Sequence, residues 1–175
     1  MDFSISAVTA TDIEPVIALA RQVWQQTYPG IISQAQIDFM LEQRYNPPRL
    51  LQELTLTQLW WDQIRVDGKL AGFASCLLTE AGEMKLDKLY VDPQRQRMGL
   101  GSRLLEHVSG RARAAGCTTL ILAVNKRNEG AIATYRRNGF AVREAVCVDI
   151  GGGFVMDDFI MAKSLLAPSP GGNKK

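Results

Sequence analysis

Apolar residues recur at helical spacing over Ile13, Val16, Ile17, Ala20, Val23 and Trp24, and this stripe predicts an amphipathic helix with one buried face that ends near Thr27. Thr11 to Glu14 reads as a capping box at its start, and Pro15 is tolerable in the first turn. Upstream, Phe3 to Val8 is a short strand candidate. Tyr28-Pro29-Gly30 stops the helix. Ser33 to Tyr45 begins a second one with Ile37, Met40 and Leu41 as its stripe, until Asn46-Pro47-Pro48 breaks it. In this helical lobe Trp24 and Tyr28, near the break, either wall a substrate site or serve only as core.

From Leu59 the period changes to two. Leu59 to Val66 and Lys69 to Leu78 flank Asp67-Gly68, a strong hairpin signal that predicts antiparallel pairing. In Met84 to Val91, Met84 and Leu86 alternate, and then Leu89 and Val91 alternate at an odd offset. The two pairs share one face only if an extra residue is accommodated, which predicts a β-bulge near Asp87-Lys88. Asp92-Pro93 ends this strand, and a glycine-containing loop leads into an amphipathic helix from Ser102 to Ala115. Leu104, Leu105, Val108, Ala112 and Ala115 point inward, and Gly116 terminates the helix. Thr119 to Val124 is unbroken apolar sequence, expected for a strand covered on both faces and joined to the preceding one in a right-handed βαβ unit. Asn128 is placed to cap a short helix carrying Ala131, Ile132 and Tyr135 on one face and ending at Asn138-Gly139. Phe140 to Val148 and Phe154 to Met161 then pair through Gly151-Gly152-Gly153.

At 175 residues the chain suits one domain, taken as residues 1–166, with 167–175 read as a disordered tail rich in Pro, Gly and Lys. A net charge of +2 with interspersed signs gives no face for nucleic acid, and no apolar run is long enough to span a bilayer. The first twenty residues show no basic region followed by an apolar core and cleavage site, so secretion is not expected. Cys76, Cys117 and Cys147 are odd in number and lie in strand-like segments, so buried reduced thiols and a cytoplasmic setting are expected. His107, the one histidine, falls on the helix after the loop and is read as solvated. Neither a metal cluster nor a Ser-His-Asp triad is evident.

The chemistry gathers in Gln96-Arg97-Met98-Gly99-Leu100-Gly101. Glycines there let main-chain N–H groups approach an anion, and the helix that follows presents its free N–H groups and partial positive charge. Each such contact is worth about 0.3–1 kcal/mol on a surface and up to about 2 when partly buried, so several must act together. Arg95, Arg97 and Arg103 add formal charge. A P-loop would need Gly-Lys-Ser/Thr, but Gly101 is followed directly by Ser102. A dinucleotide fingerprint would need a third glycine where Leu104 stands and an acidic residue about twenty positions on, in the apolar stretch Leu120 to Val124. The remaining pattern resembles the pyrophosphate loop of the GNAT (GCN5-related) N-acetyltransferases, Gln/Arg-x-x-Gly-x-Gly/Ala, through Gln96, Gly99 and Gly101. The run Asn128-x-x-Ala131-x-x-x-Tyr135-x-x-x-Gly139-Phe140 is similar to a second family motif. The resemblance covers about Leu70 to Met161 by motif, and Phe3 to Trp61 by element order. Asp157-Asp158-Phe159-Ile160-Met161 also looks like the last strand of bacterial members that acetylate small amines.

The resemblance implies an α/β fold with a mixed, mostly antiparallel sheet, a central parallel strand pair and flanking helices. Acetyl-CoA would be the acetyl donor, with no metal, and would lie between splayed strands. Main chain at Leu89, Tyr90 and Val91 would meet its pantetheine arm, Gln96, Arg97, Met98, Gly99, Leu100, Gly101 and Ser102 its pyrophosphate, and Asn128 its arm. Tyr135 would protonate the departing thiolate. Deprotonating a lysine-like ammonium at pH 7 costs about 4.6 kcal/mol, so a base or a water chain is needed. Asp87 is the first candidate, and Asp157 or Asp158 could bind the amine. The leading acceptor is a small-molecule primary amine attacking directly in a ternary complex. A protein N-terminus or lysine, or a non-catalytic acyl-CoA-binding regulatory role, are the alternatives, and a homodimer through the last strands is plausible by the same resemblance.

Overall fold

A computed structural model describes residues 1–166. One seven-stranded sheet runs in the order β1-β2-β3-β4-β5-β7-β6. Its strands are β1 (Phe3–Ala7), β2 (Leu59–Val66), β3 (Lys69–Leu78), β4 (Met84–Val91), β5 (Thr119–Asn125), β6 (Ala141–Gly151) and β7 (Phe154–Ser164). Every neighbouring pair is antiparallel except the central β4 and β5. The helices are α1 (Ile13–Thr27), α2 (Gln34–Arg44), α3 (Pro47–Glu53), α4 (Leu100–Ala114) and α5 (Glu129–Arg137). No helix among the described residues is long and apolar enough to cross a membrane.

The sheet has a separate core on each face. On one, Leu100, Leu104, Leu105, Val108 and Ala112 of α4 pack against Met84 and Leu86 of β4 and Leu120 and Leu122 of β5. On the other, the α1 stripe packs with Ile37, Met40 and Leu41 of α2, Leu50 of α3, and Trp61 and Phe73 of the sheet. Asp67 and Gly68 both take positive φ, 48° and 77°, which matches the twist of a tight hairpin turn between β2 and β3.

Several boundaries depart from the sequence reading, each for a local reason. The box ahead of α1 lies two residues early: Thr9 N–H donates to Asp12 Oδ2 at 2.9 Å, and the short side chain of Asp12 does what Glu14 was expected to do. Asn46-Pro47-Pro48 ends α2 but also starts α3. The prolines occupy the first turn, where no N–H is needed, and Asn46 Oδ1 accepts from Arg49 N–H at 3.0 Å. Replacing Asn46 with Ala should cost about 0.5–2 kcal/mol, or about 2–4 °C in Tm per kcal/mol at this size. Thermal denaturation measures it, and an unchanged Tm would contradict the capping role.

α4 starts at Leu100, two residues before the sequence reading placed it, because Gly99 with φ 75° is its cap. β5 is fully buried on one face only: Leu120, Leu122 and Val124 are buried, while Ile121, Ala123 and Asn125 are half-exposed. A cavity, rather than packed side chains, lies against Ala123 and Asn125 on that second face. β6 and β7 run past Val148 and Met161, to Gly151 and Ser164. Cys76 and Cys117 are buried, and burial pushes the Cys76 thiol up to about 12, but Cys147 is exposed on edge strand β6. The expected tail, 167–175, lies outside the described residues.

Candidate active site

β4 and β5 pair over only three positions, Met84 with Leu120, Lys85 with Ile121 and Leu86 with Leu122, although β4 continues to Val91 and β5 to Asn125. The strands part at the bulge. On the β3 side Ser75 pairs with Lys88 and Cys76 with Leu86, so Asp87 is the extra residue. Asp92 N–H donates to Ala71 C=O at 2.8 Å, and the alternation of an antiparallel ladder then turns the N–H and C=O groups of Leu89 and Val91 away from β3, towards the gap. A cavity of about 660 Å³ fills the gap and extends beneath the helical lobe, within the usual range for a small-ligand site.

The first end of the cavity gathers main-chain N–H groups and basic side chains. Arg97, with φ 65°, and Gly99 bend the loop so that the first turn of α4 opens on the cavity. The first helical N–H to find an internal partner is that of Arg103, which donates to Gly99 C=O, leaving Leu100, Gly101 and Ser102 with N–H groups free of the helix ladder. A Cβ on Gly101 would meet only Val91 Cγ2, at 3.9 Å, so the space beside it is open. Arg95, Gln96, Arg97, Gly99, Leu100, Gly101 and Ser102 line this end, together with Arg137 of α5. Two expected contributors are elsewhere. Met98 packs inward on the α4 core, as an apolar side chain beside it would, and Arg103 stacks on the Phe3 ring at 4.4 Å.

Asn128 caps α5 by accepting from Ala131 N–H at 3.3 Å, and two turns later Tyr135 reaches the cavity. The Tyr135 ring lies edge-on to Phe140 at 5.7 Å. Burial, reinforced by Tyr28, pushes its hydroxyl pKa well up, so it stays a proton donor through any ordinary pH.

The second end lies under α1 and α2. Trp24 and Tyr28 each pack in the aromatic core and also line the cavity. The Tyr28 and Tyr90 hydroxyls are 3.0 Å apart. Asp87 lines the cavity and pairs with Lys88 at 2.6 Å. Burial works to raise the Asp87 carboxyl, but the Lys88 ammonium, its hydrogen bond, and the Arg44 and Lys85 charges outweigh burial and hold it below its usual value. The two aspartates of β7 separate by strand alternation. Asp157 is exposed and bound to Lys126, whereas Asp158 is 3% exposed and lines the cavity. Burial pushes the Asp158 carboxyl up, with Asp157 adding to the rise and Arg44 opposing it.

Arg44 and Lys88 also line this end, and no sequence motif marked either. Lys88 is buried against the Trp61 ring, 5.0 Å from its centroid. Arg127, just before α5, donates to Gly30 C=O at 2.6 Å and Ile31 C=O at 2.9 Å, tying the turn after α1 to the far side of the gap. His107 is away from the cavity, and not simply solvated: its Nε2 lies 3.4 Å from Asp62. Among the described residues no group of His, Cys, Asp and Glu is placed to hold a metal ion.

Known proteins share this sequence family and fold. Residues 20–140 match the model of the acetyltransferase (GNAT) family. A spermidine N(1)-acetyltransferase of Thermoplasma acidophilum is 27% identical over 161 residues, which cover 90% of this chain and 97% of that protein. The ribosomal protein bS18-alanine N-acetyltransferase of Escherichia coli is 41% identical over 78 residues, 45% of this chain and 52% of that protein. The crystal structure of PaiA N-acetyltransferase from Thermoplasma acidophilum, in complex with coenzyme A, superposes with a TM-score of 0.81 at 27% identity, covering 94% of this chain and 99% of that one.

Proposed function

The chain belongs to the GNAT acetyltransferase family and is an acetyl-CoA-dependent N-acetyltransferase, and on that premise we propose that its acceptor is the primary amine of a small molecule, bound at the helical-lobe end of the cavity. The observation that carries this reading is the buried Asp158 and the half-buried Asp87 lining one cavity roofed by α1 and α2, whose turn Arg127 ties to the far side of the gap, a setting that suits a small amine reaching in from solvent. The spermidine acetyltransferase, a relative along nearly its whole length, supports a small acceptor. The ribosomal-protein enzyme matches over less than half of this chain.

Acetyl-CoA supplies an acetyl group activated as a thioester. The first-turn N–H groups of Leu100, Gly101 and Ser102, with Arg95 and Arg97, fit its pyrophosphate. Leu89 and Val91 turn main-chain groups towards its pantetheine arm, where an N–H aimed at the thioester oxygen stabilises the charge that develops there. Gln96 and Asn128 complete that wall. Tyr90, between Leu89 and Val91, commits its main-chain groups to Phe73 of β3 and its hydroxyl to Tyr28, so it shapes the wall rather than bonding the arm. As the amine nitrogen bonds to the acetyl carbon and the carbon–sulfur bond breaks, Tyr135 gives its proton to the sulfur.

The nitrogen must lose a proton in the same sequence. Asp87, kept ionised by Lys88, is a weak acceptor by itself, so its role is to hold the ammonium and direct its proton to water. Asp87→Asn is therefore expected to lower kcat/KM about 10–100-fold at pH 7 and less as pH approaches the amine's pKa of about 10.4, where the acceptor deprotonates unaided. A uniform loss across pH would assign Asp87 to structure instead. The acceptor class is tested by CoA release against polyamines, amino acids, aminoglycosides and peptides. Turnover confined to peptides would overturn the small-molecule reading.

A further inference from the structure

The helical-lobe end of the cavity carries two charged side chains that form no ion pair among the described residues, although each lies in the field of the other. Asp158 is buried and, among the described residues, forms no ion pair, whereas Asp87 is matched by Lys88 and Asp157 by Lys126. Arg44, the last residue of α2, lines the same end. Its one hydrogen bond among the described residues is a weak contact from Nη2 to Met156 Sδ at 3.4 Å, and it pairs with no carboxylate. Met156 and Asp158 share a face of β7, so Arg44 is held beside Asp158 without closing on it. α2 is fixed there by Gln36 Nε2, which donates to Val155 C=O at 2.8 Å, and by Phe39, whose ring packs at a tilt against Phe154 with centroids 5.1 Å apart.

An unpaired carboxylate and an unpaired guanidinium in one partly desolvated site are complementary to a ligand that brings one charge of each sign. Asp87, Lys88, Asp158 and Arg44 put two acidic and two basic side chains at this end, a balance that suits one charge of each sign better than the several ammonium groups of a polyamine. We propose that the acceptor is a primary amine that also carries an anionic group, such as a free amino acid, with Asp158 joining Asp87 in facing the ammonium and Arg44 binding the anion. The planar guanidinium suits a carboxylate or phosphate bound through two parallel hydrogen bonds. This deepens the acetyltransferase reading of the same cavity and rests on it.

The test compares kcat/KM for charge-matched pairs, free amino acids against their C-terminal amides and phosphoethanolamine against ethanolamine, with spermidine alongside. The acetyl-CoA-induced shift in Tm is measured on the same samples. An anionic acceptor preferred about 10–100-fold over its uncharged partner supports the proposal, and the better of the two pairs identifies the anion. Arg44→Gln is expected to bring the members of that pair to within about threefold by raising KM for the anionic one, while Arg44→Lys keeps part of the preference. Spermidine favoured over both anionic acceptors, or a preference that survives Arg44→Gln, would overturn the proposal and leave the acetyltransferase reading standing. Absence of an acetyl-CoA shift in the folded protein would overturn that reading first, and this one with it.

Discussion

Tyr135→Phe is expected to lower the single-turnover rate of acetyl transfer by about 10²–10⁴-fold while fold and acetyl-CoA affinity stay as they are. The substitution removes only a hydroxyl. The ring keeps its contact with Phe140, and α5 keeps its Asn128 cap. Because burial holds the tyrosine pKa well above its usual value, the hydroxyl is protonated throughout the assay range. A thiol of pKa about 8.5 leaves more easily unprotonated as pH rises past that value, so the deficit should shrink at alkaline pH. Where product release limits turnover, steady-state kcat would conceal part of the loss, which is why the single-turnover rate is the readout. Unchanged transfer across pH would make Tyr135 a packing residue.

Gly101→Val is expected to weaken acetyl-CoA binding by about 10²-fold or more with little change in stability. The added Cβ makes an ordinary contact with Val91, and valine is no worse a helix former than glycine, so α4 should fold. The branched methyls would stand where phosphate oxygens approach the first-turn N–H groups. Loss of two charge-assisted hydrogen bonds at about 1.5–3 kcal/mol each accounts for the magnitude. Calorimetric titration measures it, and wild-type affinity in the variant would place the pyrophosphate elsewhere.

The sheet was legible in the sequence because its signals are local. Asp67-Gly68 marks a turn, and the shift in apolar phase between Leu86 and Leu89 betrays the bulge that separates β4 from β5. That the loop from Gln96 and the start of α4 line one end of a cavity was legible for the same reason, since the two are contiguous. What escaped notice was written in ambiguous or distant residues. Two prolines end one helix as readily as they begin another, which hid α3. Glycine-rich sequence looks like loop, which hid the first turn of α4. Arg44, Lys88 and Asp158 come together only when α2 docks on β7 across the sheet. That contact is fixed by Gln36 and Phe39, whose partners lie more than a hundred residues away in the chain. Of the two adjacent aspartates in β7, only the strand's phase decides which one faces the cavity, and that phase is set by pairing with β5.

The central claim is that the gap between β4 and β5, with the first turn of α4, holds acetyl-CoA. Thermal denaturation of the purified protein with and without acetyl-CoA tests it most directly. At a free concentration about a hundredfold above Kd, binding to the folded state adds about 2.7 kcal/mol and raises Tm by about 5–10 °C, while NADH and ATP do much less. A well-folded sample whose Tm does not move with acetyl-CoA, or moves equally with NADH, would contradict the claim.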